Sequence, residues 1–143
     1  MKPKTHLFVL AVLALLLHSC DKEIDLIDPQ DDVYEITVNV SFIKNNEENP
    51  ASFTPIYIYY ERDPSQFQKY YYMEEGLFRS KDDKTIIPDE YHQTDGFGVL
   101  VLKENAANQR NFTVLVESRH KNLIASNYYE YKDKSRSMRF TFH

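Results

Sequence analysis

The sequence predicts an all-β protein, a single antiparallel sandwich of six to seven strands that occupies residues 33–143. The first observation is that apolar and polar side chains alternate with a period of two in several segments. The second is the abundance of aromatic residues, 11 Tyr and 9 Phe, which favour strands. The third is that no segment longer than ten residues carries the 3.6-residue apolar period of an amphipathic helix.

The first strand is predicted at residues 33–42, where the alternation is cleanest, and the polar residues 45–50 form a turn after it. The stretch 97–103 is almost wholly apolar, which is typical of a central strand covered on both faces or of a strand at a sheet crossover. Turn residues recur at the 8–12-residue spacing of a sandwich. Besides two very short stretches at 85–87 and 91–93, the remaining strands are predicted at residues 55–61, 68–74, 112–117, 123–131 and 138–143.

The chain begins with a segment unlike the rest. Lys2 and Lys4 precede an uncharged apolar run of eleven residues, 7–17, and acidic residues begin at Asp21. A basic start followed by a short apolar run is typical of a secretory signal peptide. A transmembrane helix needs about 20 apolar residues, so this run is too short to be one. We therefore expect residues 1–19 to be a cleaved signal peptide.

The end of that run, Leu17-His18-Ser19-Cys20, resembles the lipobox of bacterial lipoproteins. The resemblance implies cleavage between Ser19 and Cys20 and attachment of lipid to Cys20, which would join the protein to a membrane. Several acyl chains give stable anchoring. Residues 20–32 then form a lipidated acidic tether. Its acids resemble the surface-export signals of Bacteroides-like bacteria, which implies an outer membrane lipoprotein that faces the cell surface or the periplasm.

Charge and cysteine content exclude several classes of function. The net charge is -5, and from residue 20 onward 15 basic residues face 22 acidic ones, so we expect no nucleic-acid partner. The same acidity disfavours electrostatic attachment to anionic membranes, which leaves the lipid as the anchor. One cysteine cannot form an internal disulfide or a multi-cysteine zinc site. We expect neither cofactor nor metal.

A turn before the apolar strand carries a second resemblance. Thr94-Asp95-Gly96-Phe97-Gly98 has the form T-D-x-x-G, in which Asp can accept backbone hydrogen bonds and Gly can adopt a positive φ. With the strands around it, the motif resembles the transthyretin-like, carboxypeptidase-regulatory-like sandwich. An immunoglobulin-like sandwich is the alternative fold for the same strands. The resemblance implies that Thr94, Asp95 and Gly98 form a structural turn. It also implies a domain without catalytic activity, although a fold alone does not determine function.

Four tyrosines are candidates for a binding face. Tyr57 and Tyr59 share one face of the strand at 55–61, and Tyr70 and Tyr72 share one face of the strand at 68–74. If the two strands are neighbours, the four rings form an exposed platform that suits a glycan or a protein partner. The alternative is that these tyrosines cover the rim of a small core.

No nucleophile elbow, phosphate-binding loop or zinc-helix motif is present in the sequence. His92 lies near Asp89, Glu90 and Asp95, which permits a small hydrolase as one alternative and solvated surface charge as the other. We expect a lipid-anchored binding or assembly module of the cell envelope, accessory to an outer-membrane complex. A carbohydrate-binding lipoprotein that uses the tyrosine face is the other alternative.

Overall fold

The computed structural model describes residues 33–119 and 122–143. The predicted signal peptide and tether, including Ser19 and Cys20, lie outside the described residues. No helix within the described residues is long and apolar enough to cross a membrane. The all-β class is confirmed, with eleven strands: β1 Val33–Lys44, β2 Glu47–Pro50, β3 Pro55–Tyr60, β4 Tyr70–Tyr72, β5 Phe78–Ser80, β6 Thr85–Ile86, β7 Glu90–Gln93, β8 Val99–Asn105, β9 Phe112–Ser118, β10 Leu123–Tyr129 and β11 Arg136–Phe142.

The first sheet is built around the long strand β1. β11 pairs with β1 in parallel, whereas β8 and β2 pair with it antiparallel along residues 33–39 and 41–44. β8 and β2 meet at Val40, whose N–H donates to the Gly98 carbonyl at 2.8 Å and whose carbonyl accepts from Ala51 N–H at 2.9 Å. The parallel pair departs from the predicted antiparallel arrangement. Alternation assigns side chains to faces and carries no information about strand direction.

The second sheet is antiparallel, in the order β10-β9-β3-β7. Its inner face packs on the first sheet and forms the main core of a sandwich. The members of this core are chiefly aliphatic and come mainly from six strands of the two sheets, β1, β8 and β11 of the first and β3, β9 and β10 of the second. Its buried residues include Ile36, Val38, Ile56, Ile58, Phe112, Val114, Val116, Met138 and Phe140.

A third, small sheet covers the other face of the second sheet. It consists of β4, β5 and β6, and we call it the flap sheet. Phe78 and Ile86 of the flap sheet pack against Tyr57, Tyr59 and Leu115 of the second sheet in a separate, mostly aromatic core. The central strands of the second sheet are therefore covered on both faces, which explains why β3 and β9 are buried at nearly every position.

The structure has more strands than the six or seven expected, because several are very short. Residues 47–50, predicted as turn, form β2 after a two-residue turn in which Asn45 and Asn46 have φ of 54° and 62°. Such a turn matches the twist of a hairpin. β5 was also missed, since its sequence Phe78-Arg79-Ser80 is too short to show alternation.

Candidate functional site

The four predicted tyrosines come together, but they do not form an exposed platform. Tyr57 and Tyr59 are only 4% and 0% exposed, and Tyr70 and Tyr72 are half-buried beside them. The prediction of an exposed face was wrong because the flap sheet lies over β3. The tyrosines form the interface between the two sheets.

Hydrogen bonds satisfy the phenol groups within this interface. Glu117 Oε2 accepts from Tyr57 Oη at 3.1 Å and from Tyr72 Oη at 2.7 Å. Tyr59 Oη donates to the Gly76 carbonyl, and Gly76 N–H donates to Tyr72 Oη at 3.2 Å. Burial raises the pKa of Tyr57, Tyr59 and Tyr72 well above the usual range, and the Glu117 carboxylate adds to the rise. The hydroxyl groups of Tyr57, Tyr59 and Tyr72 are therefore all hydrogen-bonded at this interface.

His92 pairs with one of the three carboxylates near it in sequence. Its Nε2 lies 2.9 Å from Glu90 Oε2, and Tyr60 Oη donates to Glu90 Oε1 at 2.7 Å. Burial acts to raise the Glu90 pKa, but the bonds from His92 and Tyr60 outweigh it and lower that pKa. Asp89 instead accepts from Tyr60 N–H at 2.8 Å, and Asp95 belongs to a separate turn.

The network continues to Glu104, which sequence reasoning missed because it lies on a different strand. Buried Glu104 accepts hydrogen bonds from Arg110 Nη2 at 3.0 Å and from Asn108 Nδ2 at 3.2 Å, and it shares the single Tyr60 hydroxyl proton with Glu90, at 3.2 Å from Tyr60 Oη. The Arg110 guanidinium also stands 4.0 Å above the Tyr60 ring. These residues, with His92, line a cavity of about 370 Å³. Their polar groups are directed mainly at one another, which favours a role in joining strands.

The predicted turn has the geometry that its sequence implies. Asp95 Oδ1 accepts from Phe97 N–H at 2.8 Å and from Val99 N–H at 2.9 Å. Gly98 has a φ of +76°, and a β-carbon there would lie 2.4 Å from the Val40 carbonyl oxygen. Only glycine fits this position without displacing the junction of β2 and β8.

Thr94 joins this turn to the loop that precedes β3. Its Oγ1 donates to the Ala51 carbonyl at 2.7 Å and accepts from Thr54 N–H at 2.9 Å. A second link runs from Ser52 Oγ to the Gly96 carbonyl at 2.7 Å. The two loops are therefore held together by buried and exposed hydrogen bonds.

Each of these joined loops exposes one phenylalanine. Phe97 is 81% exposed and Phe53 is 63% exposed; we call them the phenylalanine pair. Phe53 has a φ of +52°, a conformation that costs a non-glycine residue on the order of 1–3 kcal/mol. Sequence reasoning missed both. The one available signal was Phe97 between two glycines, where a turn tip can present it to solvent.

The described residues contain no group of three or more His, Cys, Asp or Glu placed to hold a metal ion. The chain matches no known family model, no curated protein and no solved structure. The transthyretin-like and lipoprotein families therefore remain predictions from the sequence, while the β-sandwich architecture is observed.

Proposed function

We propose that the protein is a lipid-anchored binding or assembly module of the cell envelope, without catalytic activity and accessory to an outer-membrane complex. The observation that carries the proposal is the phenylalanine pair, two large apolar side chains presented to solvent on hydrogen-bonded loops. Aromatic residues of this kind dominate the binding energy of protein interfaces. Because the loops are joined in advance, little conformational entropy is lost when a partner binds.

The strain at Phe53 supports the same conclusion. A positive φ persists at a non-glycine residue only where the surrounding structure enforces it, and such residues cluster at functional sites. Thr94 Oγ1 supplies that constraint, because it is hydrogen-bonded both to the Ala51 carbonyl before Phe53 and to the Thr54 N–H after it. An apolar side chain held outward at an energetic cost is better explained by a partner than by the stability of the domain.

The partner favoured by the charges is a protein rather than a lipid surface. The two loops, residues 51–54 and 94–98, contain Asp95 and no basic residue, whereas anionic membranes attract Lys and Arg. Val33, the residue after the proposed tether, pairs with Asn105, the last residue of β8. Gly98 comes just before Val99, the first residue of β8. Six residues of strand place the pair about 20 Å further along the sheet. The pair therefore lies next to the end of β8 opposite to the one that pairs with Val33.

The anchoring part of the proposal depends on the sequence of residues 1–32. The Leu17–Cys20 lipobox supports lipid on Cys20, and the acidic segment after it supports a solvated tether. We propose an outer-membrane lipoprotein that faces the cell surface or the periplasm. Cys20→Ala should move the protein from the membrane to the soluble fraction. Retention of the variant in washed membranes would contradict the anchor, and protease treatment of intact cells would assign the leaflet.

The alternatives have less support. A glycan face of Tyr57 and Tyr59 would require the flap sheet to detach from β3. A hydrolase around His92 would need groups free to reach a substrate, whereas Glu90 and Glu104 already accept bonds from Tyr60. A hydrolytic activity of the wild-type protein that is lost in a folded His92→Ala variant would support the hydrolase instead.

The protein-binding proposal is tested by removing the apolar rings. Phe53→Ser/Phe97→Ser should abolish capture of a specific membrane protein by the tagged full-length chain. Ile87→Ser is the matched control, because Ile87 is also 63% exposed but lies outside the two loops. Unchanged capture by the double variant, or an equal loss in the Ile87 control, would overturn the assignment. Circular dichroism would establish that both variants are folded.

A further inference from the structure

A cavity of about 580 Å³ lies at the end of the flap sheet, where Tyr70 pairs with Ser80. This volume is typical of sites for small ligands. Its walls come from the start of β4 and from the turn between β5 and β6. We call it the lysine cavity, and its principal lining residues are Lys69, Tyr70, Tyr71, Ser80, Lys81 and Lys84.

The charge of this cavity is opposite to that of the domain. Lys69, Lys81 and Lys84 form no ion pair in the described part of the chain, and Asp82 is the one acidic residue in the lining. Residues 33–143 as a whole carry two more acidic than basic residues. Like charges gathered in a concave surface repel one another and raise the local concentration of counter-ions. The lysine cavity is therefore suited to an anion.

The turn that carries two of the lysines has a defined backbone. Ser80 N–H donates to the Lys84 carbonyl at 2.8 Å, and Lys84 N–H donates to Ser80 Oγ at 3.1 Å. Arg79 pairs with Asp83 at 3.1 Å, so these two charges of the turn offset each other. The positions of Lys81 and Lys84 at the cavity wall follow from this turn.

Tyr71 adds a different kind of surface. Tyr70 and Tyr72 pack toward the second sheet, whereas Tyr71 is 56% exposed and lines the cavity. A tyrosine ring offers an apolar face to the carbon–hydrogen face of a sugar and a hydroxyl to its polar edge. The Gln68 amide in the same wall adds hydrogen-bonding capacity.

We propose that the lysine cavity binds an anionic saccharide, with the lysines opposite its carboxylate or phosphate groups and Tyr71 against a sugar ring. This inference goes beyond the proposed protein interface and uses a different part of the molecule. An acidic peptide paired with the edge strand β4 is the competing ligand, and tetra-glutamate tests it directly. A compact cavity that combines charge with one exposed ring favours a sugar.

The test uses the full chain and calorimetric titration with tri-galacturonic acid. We expect binding that weakens as salt rises, because surface charges are screened, and no binding of a neutral galactose trisaccharide. Glucose 6-phosphate and inorganic phosphate distinguish a phosphorylated sugar from a free ion. Binding of glucose 6-phosphate but not inorganic phosphate would support the saccharide, whereas equal binding of inorganic phosphate would overturn it.

Variants locate the site. Lys81→Glu should weaken tri-galacturonic acid binding at least about tenfold, which corresponds to 1.4 kcal/mol. Lys44→Glu makes the same charge change on an exposed residue outside the cavity and should have little effect. Tyr71→Ala should weaken sugar binding as well. Equal losses in the Lys81 and Lys44 variants, no loss in the Tyr71 variant, or tighter binding of tetra-glutamate than of any sugar would each contradict the proposal.

Discussion

The two faces of the second sheet are buried in different ways. Toward the first sheet, β3 contributes Ile56 and Ile58, which need only complementary shape. Toward the flap sheet, the same strand contributes Tyr57 and Tyr59, whose hydroxyl groups must also find partners. The main core therefore depends on packing, whereas the flap interface depends on packing and on hydrogen bonds to Glu117 and Gly76.

The largest expected effect is in the main core. Phe112 is buried and stacks on Tyr129 with ring centroids 4.7 Å apart. Phe112→Ala should lower the free energy of unfolding by about 3–5 kcal/mol, measured by urea denaturation. Phe78→Ala makes the matched change in the flap interface, and it should increase hydrogen exchange chiefly in β4–β6. Equal global losses in both variants would show that the two interfaces unfold as one.

Glycine-to-alanine substitutions test how tightly the backbone is packed in the two regions. Gly98→Ala should destabilise the domain by about 1–3 kcal/mol or more, because the new carbon would meet the backbone of Val40 at a positive φ. Gly76→Ala should chiefly displace the flap sheet, since its β-carbon would lie 2.6 Å from the Tyr57 ring. Gly96→Ala is the control, with no atom within 4 Å. A Gly96 variant as unstable as the Gly98 variant would contradict this account.

High pH should destabilise the tyrosine interface. The pKa of Tyr57, Tyr59 and Tyr72 is raised by burial, so the folded chain keeps these phenols protonated. Their contribution to stability is complete below the unfolded pKa of about 10 and is lost as pH rises above it. An absorbance titration should show a class of tyrosines that ionises only as the flap interface opens. Ionisation of every tyrosine near pH 10 with the structure intact would exclude this mechanism.

The smallest effect is expected at Glu117. Glu117→Gln replaces a charged acceptor of two phenol bonds with a neutral one, at a cost of about 1 kcal/mol. In a Tyr72→Phe background the same substitution should cost less, because one of the two bonds is already absent. Urea denaturation of the four-variant cycle measures this coupling. Strict additivity would show that Tyr72 and Glu117 do not interact.

Alternation predicted the main core but not the flap. Val38, Ile58 and Val114 lie on the apolar faces of regular strands, and such faces identify a core without knowledge of the partner sheet. Tyr57 and Tyr59 lie on the opposite face, where tyrosine is equally compatible with solvent and with burial. Only the tertiary fold of residues 68–87 decides whether these tyrosines are exposed or buried. That fold is hard to predict, because short strands such as β5 carry no periodic signal.

The phenylalanine pair shows the same limit of sequence-based prediction at the candidate functional site. Phe97 belongs to an apolar stretch that predicts a strand from residue 97, but the Asp95 turn delays β8 until Val99. Phe53 comes from a loop much earlier in the chain, and the two loops meet only in the tertiary fold, through the bonds of Thr94 to Ala51 and Thr54 and of Ser52 to Gly96. The Thr94-Asp95-x-x-Gly98 motif predicted the turn and not the surface that it presents.

The central claim, that the phenylalanine pair contacts a protein partner, can be tested directly by photo-crosslinking. A photoreactive phenylalanine analogue at position 97 should give one discrete protein adduct in intact cells. The same analogue at position 87, which is exposed but outside the two loops, should not give that adduct. Crosslinks to lipid alone, or identical adducts from positions 97 and 87, would contradict the account.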